Sequence, residues 1–225
     1  TNFMNAGFCA HPLSMSGGSG WGNYPNAHLG GELKYNFDDS WALQTAVFNV
    51  NPEENSESSR AFKPFAPGTT GYIVPVELIY NLHSALPGQY KLGYYFDSSN
   101  VARIDQPDRR ANKRWGAYVL ADQTVWQSTT LRSQNLHVFG QATTTDEATS
   151  TFRHWYSAGL VLNGPFAARP NDAIAIGYGR AVYNQHSRDN AVEGLRAKDE
   201  MAAADAMNSL DIGEQLIEMT YTLQA

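Results

Sequence analysis

The sequence has little basic charge, a single cysteine and no long apolar run, and each absence excludes a class of protein. It holds 16 Lys or Arg against 22 Asp or Glu, a formal net charge of −6, so it lacks the basic surface that nucleic-acid binding requires. Cys9 is alone, which excludes a disulfide-stapled secreted scaffold. Mean hydropathy is −0.42, and no stretch approaches the roughly 18 apolar residues of a spanning helix. A helical membrane protein is therefore excluded.

Motifs of catalysis, cofactor binding and metal binding are also missing. The glycine-rich run 17–20 lacks the second glycine of a nucleophile elbow. Gly177 and Gly179 fall inside a predicted strand, where glycine more often marks a bulge or close packing. The six histidines are scattered, without the close spacing of a metal site. We therefore expect no enzyme, no cofactor and no metal.

Neither end of the sequence carries a targeting pattern. The N-terminus lacks the basic region and apolar stretch of a signal peptide, and the first residue is Thr rather than Met. The sequence stops soon after a predicted strand at 214–223. These features are expected of a processed or partial chain.

What the sequence does contain is apolar and aromatic residues arranged with period two. Phe, Tyr and Trp make up 12% of the chain, and charged residues only 17%. In 27–37, apolar and polar residues alternate, and a strand of this kind separates an apolar medium from a polar one. The apolar set is Leu29, Leu33, Tyr35 and Phe37, and the polar set is His28, Glu32, Lys34 and Asn36.

This pattern predicts about nine strands of about ten residues, the length at which a tilted strand crosses a bilayer. Short connections at 38–40 and 83–87 alternate with long ones at 51–71 and 98–113, although 122–134 is longer than a simple turn. Outer-membrane barrels alternate in this way, whereas a β-sandwich gives no reason for it. The predicted strands are 27–37, 41–50, 72–82, 88–97, 114–121, 135–142, 155–162, 172–183 and 214–223, with a polar loop at 143–153.

Aromatic residues cluster near the ends of these strands. In a membrane barrel they form girdles at the level of the lipid headgroups, but aromatics are equally common in a sandwich core. Clustering alone therefore favours neither fold. The residues concerned are Tyr35, Phe37, Trp41, Tyr72, Tyr80, Tyr94, Tyr95, Phe96, Trp115, Trp155, Tyr156 and Tyr183.

Ionisable residues occupy the polar side of several strands. In a soluble sandwich these residues would be the solvated face; in a barrel the same face lines the lumen, where fixed charges and hydrogen bonds decide what permeates. Together with Trp21, they are the candidate pore-lining residues: Glu32, Lys34, Glu77, Lys91, Asp97, Arg114, Glu214 and Glu218. The segment 191–209 is alanine-rich and fits either a short helix or a solvated loop.

An ordered series of short motifs resembles the carbohydrate-selective porin family, typified by the glucose-inducible porin B of pseudomonads. The resemblance covers about residues 21–224. Each motif is weak alone, but their order is fairly specific. The motifs are Trp21-Gly22, the Glu77 strand, 86–90 with Gly93, Gly116 with Tyr118, Asp122-Gln123, Gly159, Gly164-Pro165, Arg169-Pro170 with Asp172, Gly177, and Glu214 with Glu218 and Tyr221.

The resemblance implies an all-β fold, an antiparallel transmembrane β-barrel of sixteen strands in the outer membrane of a Gram-negative bacterium. It implies passive diffusion of monosaccharides such as glucose through a polar lumen, with sugars and outer-membrane lipid as partners. The chain resembles the central to C-terminal portion of such a barrel, so 1–225 is expected to be one partial barrel domain. Residues 1–26 fit either a loop folded into the pore or a surface loop.

Two questions stay open at this point. The family leaves monomer and homo-trimer equally possible, and no single lumen position matches a known constriction residue. The alternative function is a soluble β-sandwich that binds carbohydrate through Trp and Tyr platforms.

Overall fold

The computed structural model describes residues 2–5, 8, 13–22, 28–52, 68–131, 133–209 and 213–224. Within them, nine strands form one antiparallel sheet, and a two-stranded ribbon stands apart from it. The strands of the large sheet are β1 (Gly30–Asn36), β2 (Trp41–Val50), β3 (Gly71–Leu82), β4 (Gly88–Asp97), β7 (Arg114–Gln127), β8 (Asn135–Thr145), β9 (Phe152–Asn163), β10 (Ala173–Tyr183) and β11 (Gly213–Thr222). The ribbon consists of β5 (Val101–Ala102) and β6 (Arg110–Ala111).

Each strand of the large sheet pairs with the next one along the chain, so the topology is a simple meander. A β-sandwich requires two sheets packed face to face, whereas the described residues form one large continuous sheet and, apart from it, only the two-stranded ribbon. The sandwich alternative is therefore wrong, and the predicted all-β antiparallel fold with about nine strands is confirmed. In the described part of the chain, β1 and β11 are each paired along one edge only.

The sheet has two faces of opposite chemistry because successive side chains of a strand point to opposite sides. The register places Leu43 beside Leu78, Leu78 beside Leu92, and Leu92 beside Val119. We call this side the apolar face. Its large exposed side chains are Leu33, Tyr35, Leu43, Val47, Val74, Val76, Leu92, Tyr94, Val119, Tyr156, Leu160, Ile174, Ile176, Tyr178, Ile217 and Met219. The opposite side, which carries Glu32, Glu77, Arg114 and Glu218, is called the polar face.

Three of the four connections at one end of the sheet are longer than every connection at the other end, and the fourth, 146–151, is short. We call the ends the short-turn end, with connections 37–40, 83–87, 128–134 and 164–172, and the long-connection end, with 51–70, 98–113, 146–151 and 184–212. The alternation is less strict than predicted, since the loop expected at 143–153 contains only 146–151. Threonines 143 to 145 extend β8 because β-branched residues favour strands.

Two helices, α2 (Gln185–Ala197) and α3 (Met201–Ser209), lie in the last long connection. Asn184 caps α2, because its side chain accepts a hydrogen bond from the backbone N–H of His186. The helical interpretation of 191–209 is therefore the correct one, and the helical region begins earlier than predicted. No helix among the described residues is long and apolar enough to cross a membrane.

The N-terminal segment, residues 2–22 where described, lies across the polar face. It includes the short helix α1 (Leu13–Gly18), whose Met15 packs with Val50, Ile73, Tyr95 and Tyr118. A second cluster joins Phe3 and Phe8 to Phe139, Val161, Ala173 and Ala175. These two clusters supply much of the buried apolar surface of the fold, and both lie between the N-terminal segment and the sheet.

Candidate functional site

All eight strand residues predicted to share a polar side do lie on the polar face. Across β3 and β4, Glu77 is opposite Gly93 and Asp97 is opposite Ile73; across β4 and β7, Asp97 is opposite Arg114. The other strands follow the same parity, which also places Glu32, Lys34, Lys91, Glu214 and Glu218 on this face. Their surroundings differ, however, and divide them into two groups.

Glu77, Lys91 and Tyr118 form a hydrogen-bonded group on three adjacent strands. Lys91 Nζ lies 3.2 Å from Glu77 Oε1, and the Tyr118 hydroxyl donates to Glu77 Oε2 at 2.8 Å. The Lys91 and Glu77 side chains remain 29% and 16% exposed. This Glu77 group therefore presents a cation and an anion to the space above the sheet, while the buried Tyr118 ring supports Glu77 from below.

Glu32 and Lys34 lie on β1, where every residue is exposed. Gln44 Nε2 donates to Glu32 Oε1 at 2.6 Å. Among the described residues Lys34 has no ion-pair partner, so its ammonium group is open to solvent. Glu214 on β11 is also exposed and accepts a hydrogen bond from the Tyr183 hydroxyl at 3.0 Å.

Asp97 and Arg114 form a buried pair instead of an open one. Their carboxylate and guanidinium groups are 2.6 Å apart, and the side chains are 0% and 9% exposed. Asp97 also accepts from the backbone N–H of Gly20 at 2.5 Å and of Ser99 at 2.7 Å. Burying a charge is costly unless it is paired and hydrogen-bonded, so this pair holds the N-terminal segment and the 98–113 connection in place.

Glu218 is committed to the N-terminal segment in a similar way. Its two carboxylate oxygens accept from the backbone N–H groups of Met4 at 2.7 Å and Asn5 at 3.1 Å. Gly177 lies directly opposite Glu218 on β10, and a Cβ there would be 3.0 Å from the rings of Phe3 and Phe8. The absence of a side chain at Gly177 thus makes room for the segment that Glu218 binds.

Trp21 lies at the end of the N-terminal segment and is partly buried. Its ring packs edge-on against Phe48 of β2, with ring centroids 5.1 Å apart. Its backbone N–H donates to Ser19 Oγ at 3.1 Å. The structure therefore places Trp21 against β2 on the polar face. Several strands of the sheet lie between β2 and β11, which carries Glu218.

Aromatic rings lying over glycines are a feature that the sequence analysis did not identify. Tyr118 is opposite Gly93, where a Cβ would approach its Cζ to 2.0 Å, and Tyr95 is opposite Gly116 in the same manner. The Tyr95 hydroxyl donates to the Ser14 carbonyl at 2.6 Å, which fixes helix α1. Glycines inside predicted strands were the available signal, because they mark close approach.

The aromatic residues predicted near strand ends lie mostly, but not all, on the apolar face. Ring contacts across strands join Trp41 to Tyr80 at 4.6 Å near the short-turn end, and Tyr94 to Trp115 at 6.3 Å near the long-connection end. Tyr95 and Trp155 are buried on the polar face, because an odd offset along a strand reverses the direction of the side chain.

The motif at 169–172 has a structural role at the short-turn end. Arg169 and the Tyr221 hydroxyl both donate to Asp172, and the backbone N–H of Gln224 donates to its Oδ1 at 3.1 Å. Arg169 first and Tyr221 second lower the pKa of Asp172 from its ordinary 3.8 to about 2. These hydrogen bonds of Asp172 with Arg169, Tyr221 and Gln224, which we call the Asp172 clasp, connect the 164–172 turn to the end of β11.

Metal ligation has no support in the part of the chain that the structure describes, since it contains no group of three His, Cys, Asp or Glu side chains placed to hold an ion. What the polar face offers is hydroxyl, amide, carboxylate and ammonium groups of mixed sign. Such a surface can form several hydrogen bonds to a dipolar solute, and no single sign of charge dominates it.

Comparison with known proteins gives consistent matches. A profile described as the carbohydrate-selective porin OprB family matches residues 1–225. Porin B of Pseudomonas aeruginosa is 32% identical over 198 residues, which are 81% of this chain and 43% of that protein. The Acinetobacter baylyi protein QuiX is 28% identical over 233 residues, 99% of this chain and 53% of its own.

Among solved structures, the high-pH structure of Pseudomonas putida OprB superposes with a TM-score of 0.81 at 28% identity. The match covers 92% of this chain and 52% of that one. The chain thus spans about half the length of the relatives it matches.

Proposed function

The chain belongs to the carbohydrate-selective porin family, and from this membership we propose that it forms one continuous section of the wall of an outer-membrane pore. Monosaccharides such as glucose would diffuse passively along its polar face. The observation that carries the proposal is the two-faced meander: one side is apolar and exposed, and the other carries hydrogen-bonding groups. Residues 1–225 belong to a single barrel domain in this proposal.

The apolar face is proposed to face lipid. Large apolar side chains such as Leu33 and Ile217, each 69% exposed, would be costly in water over so wide a surface. The Trp41–Tyr80 and Tyr94–Trp115 contacts near opposite ends are suited to the two headgroup levels of a bilayer. The short-turn end would then face the periplasm and the long-connection end the exterior, as is usual for such barrels.

This membrane location predicts how the protein is extracted from cells. We expect the full-length protein in the membrane fraction until detergent is added, as a band whose gel mobility changes on heating. Release into a detergent-free supernatant would contradict the outer-membrane location.

The lumen is proposed to be lined by the open members of the polar face: Glu32, Lys34, Glu77, Lys91 and Glu214. Their hydrogen-bonding groups can replace part of a sugar's hydration shell without trapping it, which passive conduction requires. Carboxylate and ammonium groups lie close together, as in the Glu77–Lys91 pair. This balance suits a neutral solute with many hydroxyls better than a strongly charged one.

Asp97, Arg114 and Glu218 are proposed to act on the pore indirectly. Each binds the N-terminal segment or helps to hold it, and that segment lies across the polar face. Residues 1–26, with Trp21, are accordingly proposed as a pore-folded loop that narrows the lumen. The part of this range outside the described residues is included only by continuity of the chain.

Liposome swelling tests the proposed function. We expect proteoliposomes containing the full-length protein to swell in glucose and other neutral monosaccharides, and more slowly in larger sugars. Heat-denatured protein is the control. If neutral monosaccharides neither permeate nor reduce the single-channel current while small anions pass freely, the carbohydrate-selective proposal fails.

A further inference from the structure

A cavity of about 280 Å³ lies on the polar face between the N-terminal segment and strands β7 and β8. None of its lining residues belongs to the set of candidate pore-lining residues, and we call it the Phe139 cavity. Its size is slightly below the range typical of drug-sized ligands, as expected for a ligand no larger than a monosaccharide. Its lining includes the side chains of Phe3, Phe8, Leu120, Asp122, Phe139 and Gln141.

One wall of the Phe139 cavity is aromatic and rigid. The ring centroids of Phe3 and Phe8 are 4.9 Å apart, and those of Phe3 and Phe139 are 5.3 Å apart. Phe139 rests over Gly159, where a Cβ would be 2.5 Å from the ring. These contacts fix the three rings, so the parts of the rings that line the cavity can contact the C–H groups of a sugar with little loss of side-chain entropy.

Polar side chains lie beside Phe139 on the same face of the sheet, and the protein satisfies only part of their hydrogen-bonding capacity: Asp122 is directly across from Phe139 on β7, and Gln141 is two residues along β8. Asp122 Oδ1 lies 3.1 Å from His137 Nδ1, and the Asp122 side chain is 58% exposed. Within the described residues, Asp122 Oδ2 and the side-chain amide of Gln141 have no hydrogen-bond partner. A carboxylate oxygen accepts and an amide both donates and accepts, which matches the hydroxyl groups of a pyranose.

We propose that the Phe139 cavity is a weak binding site for a neutral hexose, with Phe139 against the apolar sugar face and Gln141 and Asp122 bonded to hydroxyls. This proposal rests on the proposed function, because the sugar reaches the cavity from the lumen. It assigns a role in substrate binding to Gln141 and Phe139. Neither residue could be selected as a binding residue from its amino-acid type alone. Binding is weak because only one side of the sugar is contacted, and weak binding allows release.

Single-channel recording with added glucose tests the site in the full-length protein. The variants are Gln141→Leu, which removes the amide, and Phe139→Leu, which removes the ring while keeping an apolar side chain over Gly159. Gln106→Leu is the matched control, because Gln106 is exposed in the 98–113 connection. We expect the glucose dissociation constant, measured from current block, to rise about threefold to tenfold in each cavity variant and to stay unchanged in the control.

The outcomes separate this inference from the proposed function. If glucose blocks and permeates the unchanged protein, and Gln141→Leu binds it as tightly as Gln106→Leu does, the cavity proposal is overturned and the porin function stands. If the unchanged protein neither binds nor passes sugar, both fail. If Phe139→Leu no longer shows the heat-modifiable band of a folded barrel, that variant has misfolded. The comparison of Gln141→Leu with Gln106→Leu then decides whether the cavity proposal stands.

Discussion

At the scale of single residues, the charges of the polar face have two different roles. Asp97 and Glu218 have both carboxylate oxygens bonded to backbone N–H groups or to Arg114. Glu77 and Lys91 bond to each other and to Tyr118 while remaining partly exposed. In the proposed pore, a charge that holds the N-terminal segment would affect the width of the lumen, whereas a partly exposed charge would act on the permeating solute directly.

Removing the Glu218 carboxylate should release the start of the N-terminal segment. In Glu218→Ala, the N–H groups of Met4 and Asn5 lose their acceptor, at a cost of about 1 to 3 kcal/mol for two charge-assisted hydrogen bonds at a solvent-exposed site. We expect a larger single-channel conductance and faster proteolysis near the N-terminus. Glu214→Ala is the control, because it removes the same charge from the same strand. Equal effects of the two substitutions would argue against an anchoring role.

Removing the Lys91 ammonium should alter the ion selectivity of the pore. Lys91→Met retains most of the apolar stem and leaves the Glu77 carboxylate without its cation. Fixed lumen charges govern selectivity, so we expect the cation-to-anion permeability ratio to rise, measured from the reversal potential in a salt gradient. Lys198→Met makes the same charge change at an exposed site outside the sheet. A reversal potential that moves equally in both variants would remove Lys91 from the proposed lumen.

The Asp172 clasp makes stability depend on pH. The pKa of Asp172 is about 2 in the folded protein, below its ordinary 3.8, because Arg169 and Tyr221 bond to the charged form. A lowered pKa stabilises the fold above about pH 4, and this contribution is lost as the pH falls towards 2. We expect Asp172→Asn to unfold more readily than the unchanged protein at pH 6, with the difference shrinking at pH 2.

The control for this measurement is Asp108→Asn, since Asp108 is exposed in the 98–113 connection. Thermal midpoints in detergent, recorded from pH 6 to pH 2, provide the comparison. A difference between Asp172→Asn and the unchanged protein that stays constant over this range would contradict the assigned pKa.

At the scale of elements, the polar face depends on glycines paired with aromatic rings on the next strand. Gly93 admits the Tyr118 ring, and Gly116 admits the Tyr95 ring, both directly across from their partners. Each ring then extends along the sheet towards Glu77 or helix α1. The glycines of β4 and β7 thus position hydroxyl groups that lie on neighbouring elements.

A side chain at Gly93 should displace Tyr118 and weaken the sheet. In Gly93→Val the new Cβ would be 2.0 Å from Tyr118 Cζ, and overpacking of this kind costs about 1 to 3 kcal/mol. We expect a lower unfolding midpoint in detergent and a weakened Tyr118–Glu77 hydrogen bond. Gly31→Val on β1 is the control, because no atom lies within 4 Å of a Cβ there. A midpoint for Gly93→Val equal to that of Gly31→Val would contradict the pairing.

Most elements could be predicted from the sequence, because a period-two pattern is a local property of the chain. The alternation in β1 and β4 was enough to assign Glu32 and Lys91 to one side. Strand ends were less accurate: β8 extends through Thr145, since polar threonines are also good strand formers. The two helices after β10 could not be chosen over a loop, because helices this short are marginal on their own even where alanine is frequent.

At the scale of the whole molecule, the contacts that define the site join residues far apart in the sequence. Glu218 bonds to Met4 across 214 positions, and Asp97 bonds to Gly20 across 77. No local pattern contains such pairs, so Asp97 and Glu218 could not be separated from the open charges in advance. The Phe139 cavity could not be predicted from the sequence for the same reason, because Phe3 and Gln141 lie near each other only in the folded sheet.

The meander itself accounts for the division of the molecule into two environments. Nine sequentially paired strands keep one parity of side chain on each side from β1 to β11. A register shift of one residue in any strand would place its charges on the apolar face. The central claim is therefore that the apolar face contacts lipid and the polar face contacts water in the lumen.

Cysteine labelling at neighbouring positions of β4 tests this claim most directly. Lys91→Cys and Leu92→Cys, each in a Cys9→Ser background, place a thiol on the polar and the apolar face of one strand. In intact proteoliposomes, a small membrane-impermeant maleimide should modify position 91 and leave position 92 unmodified, although the Leu92 side chain is 56% exposed in the isolated chain. Equal modification of both positions, or modification of position 92 alone, would contradict the account.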